Sequence, residues 1–534
     1  MKTQFYLVSL LGAAMFLSAC DGDDGAAGQN GTDGADGTDG FNSLVAIRDL
    51  QVGDPDCLGG GQALDSGLDT NRNDLLDAEE VTATEFLSCA ETPTLRALHA
   101  SPDAPAVNIV VDGTEALSGV DFAQGSGFLG VGQAENVTAT GAVVSVVVNA
   151  ITPGGEVEAI NADLPLEFGT ETSVIATGTV AGGGLPLPVI AVSNPIGEPI
   201  AAGNFRAQVV HGAPSAPAVD VYVTALDGPL DAPVNSAPLA FGDFTGQLEV
   251  PEGDYQIRIA VPGAPPTVVY DSGEISLAAG ADLMIVAVDN ATIGDSAVQL
   301  VVLDGTAASP LYDTATGAAA VAVHLSQDAP AVDILADIAS TADIEALKLV
   351  ENVSYTDVCV IENIPAPEDF TLSVVATGDT SSVLDIPYTA AVNEATTVIV
   401  SGLLATATLQ AIPLSVDARS VATEAKVRLT HGSPSTPDVD IYLLPAGSDI
   451  NASEPAFMDV PFGADTGVLS IAPDTYDVYV TAADSKTPAI SVIGLALAGG
   501  QVLDVIARDA TGAEVGPQPL VVDYDALAAC VVTP

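Results

Sequence analysis

Apolar and polar residues alternate with a period of two in many short runs of this chain, and no long stretch follows the helical spacing convincingly. Val219-Asp-Val-Tyr-Val223 and Val439-Asp-Ile-Tyr-Leu443 are such runs, and this alternation places one set of side chains on each face of a strand. Apolar strands such as Phe205-Arg-Ala-Gln-Val-Val210, Leu283-Met-Ile-Val-Ala-Val288 and Val502-Leu-Asp-Val-Ile-Ala507 accompany them. Turn residues separate the runs at short intervals. Strands at this density predict an all-β chain built of antiparallel, Ig-like β-sandwiches with about seven strands apiece.

The strands recur as a tandem array. His99-Ala-Ser-Pro-Asp-Ala-Pro-Ala-Val-Asn108 returns as His211-Gly-Ala-Pro-Ser-Ala-Pro-Ala-Val-Asp220, His324-Leu-Ser-Gln-Asp-Ala-Pro-Ala-Val-Asp333 and His431-Gly-Ser-Pro-Ser-Thr-Pro-Asp-Val-Asp440, with histidines 112, 113 and 107 residues apart. A second anchor follows in three copies: Phe122-Ala-Gln-Gly-Ser-Gly-Phe-Leu129, Phe241-Gly-Asp-Phe-Thr-Gly-Gln-Leu248 and Phe462-Gly-Ala-Asp-Thr-Gly-Val-Leu469. The repeats are expected at residues 93–200, 203–306, 317–418 and 423–525, with a tail at 526–534. A period this long marks an array of domains.

These motifs resemble the bacterial extracytoplasmic family catalogued as domain of unknown function 4397, whose members open with His-x-Ser-Pro-x-x-Pro-x-Val-Asp. The resemblance spans roughly residues 93–525 in four copies. The third copy departs, with Gln327 for the first Pro and Val358-Cys359 where the second anchor expects Gly-apolar-Leu. It implies an envelope or surface location and a β-sandwich, and no reaction.

A His with a Ser two residues on and an acid nine residues on also invites a hydrolase reading. The internal comparison opposes it. The Ser position holds Ser101, Ala213, Ser326 and Ser433, and the acid position is Asn108 in the first repeat. All four histidines of the chain are spent in this motif, and one His per repeat falls short of an ordinary zinc site. The pairs His99/Asn108, His211/Asp220, His324/Asp333 and His431/Asp440 are therefore expected to be structural, the His bonding across the Pro corner with the residue nine positions on as candidate partner.

The N-terminal region carries the remaining signals. Residues 1–19 read as a signal peptide, and Leu17-Ser18-Ala19-Cys20 resembles a lipobox, by which resemblance Cys20 becomes the lipidated N-terminus. Gly at every third position from 22 to 40, without Pro, predicts a hydrated spacer over residues 20–41 rather than a triple helix. A small module is expected at 42–92. In it, Asp69-Thr-Asn71-Arg-Asn73-Asp74-Leu75-Leu-Asp77-Ala-Glu79-Glu80 fits the spacing of an EF-hand calcium loop. The Ca2+ ligands would be the Asp69, Asn71 and Asn73 side chains, the Leu75 carbonyl, Asp77 through water and bidentate Glu80. Asp74 stands where that loop has Gly, and Asp tolerates the positive φ required there. Asp77–Leu87 is expected to form an exiting helix, while Gly59-Gly60-Gly61 upstream forbids an entering one. Cys57 and Cys89 are expected to pair and close the module. Cys359 reads either as a small buried apolar residue or as one half of a bridge to Cys530.

Charge narrows the partners. The net charge of −59 excludes nucleic acid and anionic headgroups and favours cations. The function expected is that of a lipid-anchored cell-envelope protein, on the cell surface rather than facing the periplasm. It would act without catalysis in adhesion, envelope organisation or the binding of a surface polymer, glycan or protein. The alternative is an extracytoplasmic hydrolase or small-solute-binding protein with a site between repeats.

Overall fold

The strand-like runs form strands throughout the described residues, which in this computed structural model are 40–131, 137–138, 140–183, 187–291, 296–337 and 347–527. Among the described residues helix is confined to single turns, at Val180–Gly183, Ala78–Glu80 and Ile450–Ala452. Two compact units result: the described residues up to Arg48 with Leu64–Glu85, and Asp49–Ala63 with the rest of the chain.

Each repeat is a sandwich of two sheets. In the first, one sheet runs in the order Val189–Pro195, Thr170–Ala176, Thr94–His99, Leu129–Gly130, and the other Thr114–Val120, Val107–Val111, Gly141–Thr152, Gly155–Glu167. The third and fourth repeats follow the same plan of two four-stranded sheets, the second divides its strands into a five-stranded and a three-stranded sheet, and the described strands number eight in each repeat. The strand that ends at the motif histidine pairs parallel, not antiparallel, with the strand near the repeat's end: Leu98 lies opposite Ile175, Val210 opposite Val286, Val323 opposite Ile399 and Thr430 opposite Ile506. All other strand pairs described in the repeats are antiparallel. A parallel pair suits a sheet covered on both faces, and each of these sheets is so covered.

One cover is the repeat's own second sheet. In the third repeat Ala318, Ala320, Ala322, Val398 and Val400 point inward onto Ile334, Leu372 and Phe370. The other cover is the neighbouring repeat. Val321, Val323, Leu325 and Ile399, on the opposite face of that sheet, cluster with Ile506 and Val522 of the fourth repeat. Leu98, Ile175 and Val192 of the first repeat cluster likewise with Val210, Met284, Val286 and Leu303 of the second. Repeats one and two thus make one stack of four sheets, and repeats three and four another. This is why the strand Ala318–Leu325 is buried at every position.

The all-β tandem sandwiches are as expected, with one parallel pair added in each repeat. Two expectations need correction. The second repeat's sheet runs past residue 306 to include Ala308–Leu311. Asp77–Leu87 is not a helix: one 3₁₀ turn is followed by the strand Val81–Cys89, whose Val, Thr and Phe residues favour extended backbone. That strand joins Asn42–Leu50 and Gly61–Asp69 in a three-stranded sheet with Gly61–Asp69 at its centre. The packing of the repeats in pairs is an arrangement that the sequence left open.

Candidate functional site

The motif histidine ends the opening strand of each repeat, and the prolines after it turn the chain back. In all four copies the ring Nε2 donates to the carbonyl of the Pro six residues on: His99 to Pro105 and His211 to Pro217 at 3.0 Å, His324 to Pro330 and His431 to Pro437 at 3.1 Å. A carbonyl only accepts, so the proton sits on Nε2 and Nδ1 is bare. Nδ1 of His324 and of His431 accepts the N–H of Ser326 and Ser433. An aromatic ring meets each imidazole edge-on: Phe122, Phe241, Tyr355 and Phe462, with centroids 6.2 to 6.5 Å away. The residue after each ring has positive φ, at Ala123, Gly242, Thr356 and Gly463, and its N–H returns to the histidine carbonyl. The aromatic partner of the third repeat, Tyr355, was missed in the sequence because Thr356 replaces Gly; the signal was Tyr355-Thr-Asp357 beside Phe241-Gly-Asp243.

The acid or amide nine residues on does not bond to the histidine. It holds the neighbouring strand. Asn108, Asp333 and Asp440 accept the N–H of Gly119, Asn352 and Asp459. Those three residues have positive φ and lie in the register shift of the facing strand, so the side chain satisfies a donor that the bulge leaves out of the ladder. In the second repeat Asn235 does the same work differently, its amide donating to Asp220 and its oxygen accepting the N–H of Val221. The histidine reaches a backbone carbonyl first because the Pro corner folds directly over the ring.

This arrangement is unsuited to nucleophilic catalysis, since the Nε2 proton is committed to a carbonyl. Ser101 is buried and donates to the Gly178 carbonyl at 2.8 Å, and Ser433 donates to Asp509. Burial holds the imidazoles of His99, His324 and His431 below the ordinary histidine range. A lowered folded-state pKa means the unfolded chain binds the proton more readily. Stability from these three rings is therefore complete above the unfolded value of about 6.5 and declines as pH falls below it. His431→Ala is expected to cost about 1–3 kcal/mol and to flatten part of that acid dependence, read by denaturant unfolding at pH 7.5 and 5.5. An unchanged pH profile in the variant would contradict the assignment.

The departures of the third repeat serve its pairing. Gln327 donates to Asp509 at 3.2 Å and the Tyr355 hydroxyl to the Asp509 carbonyl at 2.7 Å, both in the fourth repeat. At equivalent places of the two stacks the Thr177 hydroxyl donates to the Gly212 carbonyl at 2.6 Å and the Ser401 hydroxyl to the Gly432 carbonyl at 2.8 Å. The linker between repeats three and four lies on the Pro corner of the first: Arg419 donates to the Ala104 carbonyl at 2.7 Å and pairs with Asp121.

Around the acidic loop, Asp69 accepts the N–H groups of Asn73 and Asp74, and the Asn71 and Asn73 amides both donate to Asp77, at 2.7 and 2.9 Å. Glu80 accepts from Thr70 and Asn71, and Asp77 donates its N–H to Glu80. Leu75 is exposed, its N–H on Asn73. Asp74 has φ +57°, in the position where an EF-hand carries Gly. Asp69 and Glu80 are buried, and among the described residues no ion pair to either of them is seen. Hydrogen bonding from Thr70 holds the Glu80 carboxyl below its ordinary range. Among the described residues no cluster of three or more His, Cys, Asp or Glu stands at metal-holding distance; the loop's set depends on its two asparagines.

Cys57 and Cys89 form a disulfide. Cys359 is buried in the core of the third repeat and disulfide-bonded; the possible bridge to Cys530 falls on a residue outside the described ones. Cys20, with the signal and nearly all of the spacer, also lies outside them. Among the described residues no helix is long and apolar enough to cross a membrane.

The family described as domain of unknown function (DUF4397) matches residues 93–222, 224–335 and 319–442, more than half of the chain. Each segment runs into the opening strands of the next repeat, and the last ends inside the fourth repeat, short of the residue 525 expected. A second family, domain of unknown function (DUF7151), matches residues 42–89. No curated protein matches the chain. Among solved structures, the TIE protein of Bacillus anthracis is similar at 9% identity, covering 88% of this chain and 75% of its own, with a TM-score of 0.15. That superposition is too poor to bear on fold or function.

Proposed function

The chain belongs to the DUF4397 family, and from that premise we propose that it is a non-catalytic, lipid-anchored protein of the bacterial cell envelope. It binds a surface polymer, glycan or protein through the outward sheets of its paired repeats. Neither matched family carries an assigned reaction. The observation that carries the reading is the fate of the histidine motif. The feature common to all four repeats is spent inside each of them, on a buried Nε2-to-carbonyl bond, so what remains for a partner is the outer surface. There the strand Gly155–Glu167 presents Glu156, Glu158 and Val157 to solvent. Repeated faces of one kind suit avidity better than turnover.

The test is fractionation of cells expressing the full chain, with protease added to intact cells. Membrane association lost in Cys20→Ala, together with protease-sensitive repeats on intact cells, is the expected result. Unchanged membrane association in Cys20→Ala would sink the anchor. Protection from external protease would move the protein to the periplasm.

The acidic loop is proposed to hold one Ca2+ through Asp69, Asn71, Asn73, the Leu75 carbonyl, Asp77 and Glu80. Its fit rests on two buried carboxylates without a cationic partner among the described residues and on asparagine side chains already gathered at Asp77. Calorimetry of the full chain is expected to show one saturable calcium site, severely weakened in Glu80→Gln because that residue would supply two oxygens. No calcium-dependent heat at millimolar ion would dispose of it.

A further inference from the structure

The two sheets of the first repeat enclose a cavity of about 90 Å³, walled by Ala97, Val146, Ile160, Ala162, Ala176 and other apolar side chains. Apolar cavities stay dry, and one of about 150 Å³ takes up benzene, so this space is of the order that holds a small ring. Two of its lining residues carry polar side chains: His99, whose Nε2 is committed to Pro105, and Thr423. The Thr423 hydroxyl is buried and has no hydrogen-bond partner among the described residues.

The fourth repeat has a cavity at the equivalent place, but of about 20 Å³. Leu429 lines it where the first repeat has Ala97, each two residues before the motif histidine, and Val492 lines it where the first has Ala162, opposite Val478 and Val146 respectively. One inward step along the strand, Val144 stands where the other repeats place Tyr255, Phe370 and Tyr476. The core of the first repeat thus contains no aromatic residue, whereas Tyr270 fills that of the second and Phe370 and Tyr388 that of the third.

We propose that the first repeat binds a compact, uncharged molecule with an apolar body in this cavity and one hydroxyl or carbonyl group on Thr423. Small apolar pockets gain their selectivity from such single placed polar groups. The site is walled by the first repeat, with Thr423 at the start of the fourth repeat on its border, and does not rest on the envelope reading.

The experiment uses methyl NMR of the full chain, titrated with phenol and with benzene. Saturable shifts at Val146 and Ile160 are expected with both probes, at lower concentration for phenol. Ala97→Leu with Ala162→Val, the residues of the fourth repeat, is expected to abolish them. Thr423→Val is expected to erase the preference for phenol and leave benzene binding intact. The reverse pair, Leu429→Ala with Val492→Ala, should create a second saturable site in the fourth repeat, which tests the size argument even if the filled variant does not fold. Absence of saturable shifts in the unaltered chain, or shifts that persist in a folded, filled variant, would overturn the site. Equal affinity for the two probes would overturn the role of Thr423.

Discussion

Ile399→Ala is expected to destabilise the third and fourth repeats together, by about 2–5 kcal/mol. Ile399 is fully buried, yet it faces away from its own sandwich, whose core takes Val398 and Val400 on either side of it. It belongs to a buried cluster with Val321, Val323, Leu325, Ile412 and Leu414 of its own repeat and Ile506 and Val522 of the next. Truncation therefore opens a hole on a shared face, and the surroundings relax only partly to fill it. Hydrogen exchange along a denaturant series is the measurement: protection of Ala318–Leu325 and of Val502–Arg508 should fall in parallel, while Thr94–His99 keeps its own. A loss confined to the third repeat would show that the face is not shared.

Cys57→Ser is the second large effect. The disulfide spans 32 residues of sequence, and opening a loop of that length costs about 3–4 kcal/mol through the freedom returned to the unfolded chain. The buried apolar cluster beside it consists of Leu50, Cys57 and Ala63 alone. So little burial cannot hold such a segment by itself, and residues 42–89 are expected to lose protection in the variant while the repeats keep theirs. Retention of that protection in Cys57→Ser, or in the reduced protein, would contradict the dependence.

The strands, the fourfold period and the Cys57–Cys89 pair were legible because each is local or announces itself by recurrence. Period-two alternation reports one buried face, and repetition of His, Pro and Asp at fixed spacing reports a shared corner. What was not legible is contact between faces. Val321 and Val323 alternate with Ala320 and Ala322, and since both sets are apolar the pattern says that both faces are covered without saying by what. The fourth repeat supplies that cover. The parallel pairing was hidden for a related reason, since the strands that pair are distant in sequence, Leu98 and Ile175 being 77 residues apart. Asn108, Asp333 and Asp440 were paired with the histidine by spacing alone, whereas the bulge each of them holds comes from the register of another strand.

Fusion of the repeats in pairs is the claim on which the reading of the exposed surfaces depends, and it is tested most directly by dividing a pair. Residues 317–527 should be prepared as one fragment, and 317–418 and 423–527 as two, followed by thermal unfolding and binding of a hydrophobic dye. The joined fragment is expected to unfold in one cooperative transition and to bind no dye. The separate halves are expected to bind dye through Val321, Val323, Ile399 and Ile506, to unfold at lower temperature, and to recover the joined behaviour when mixed. Halves that each unfold at the temperature of the joined fragment, without dye binding, would contradict the pairing.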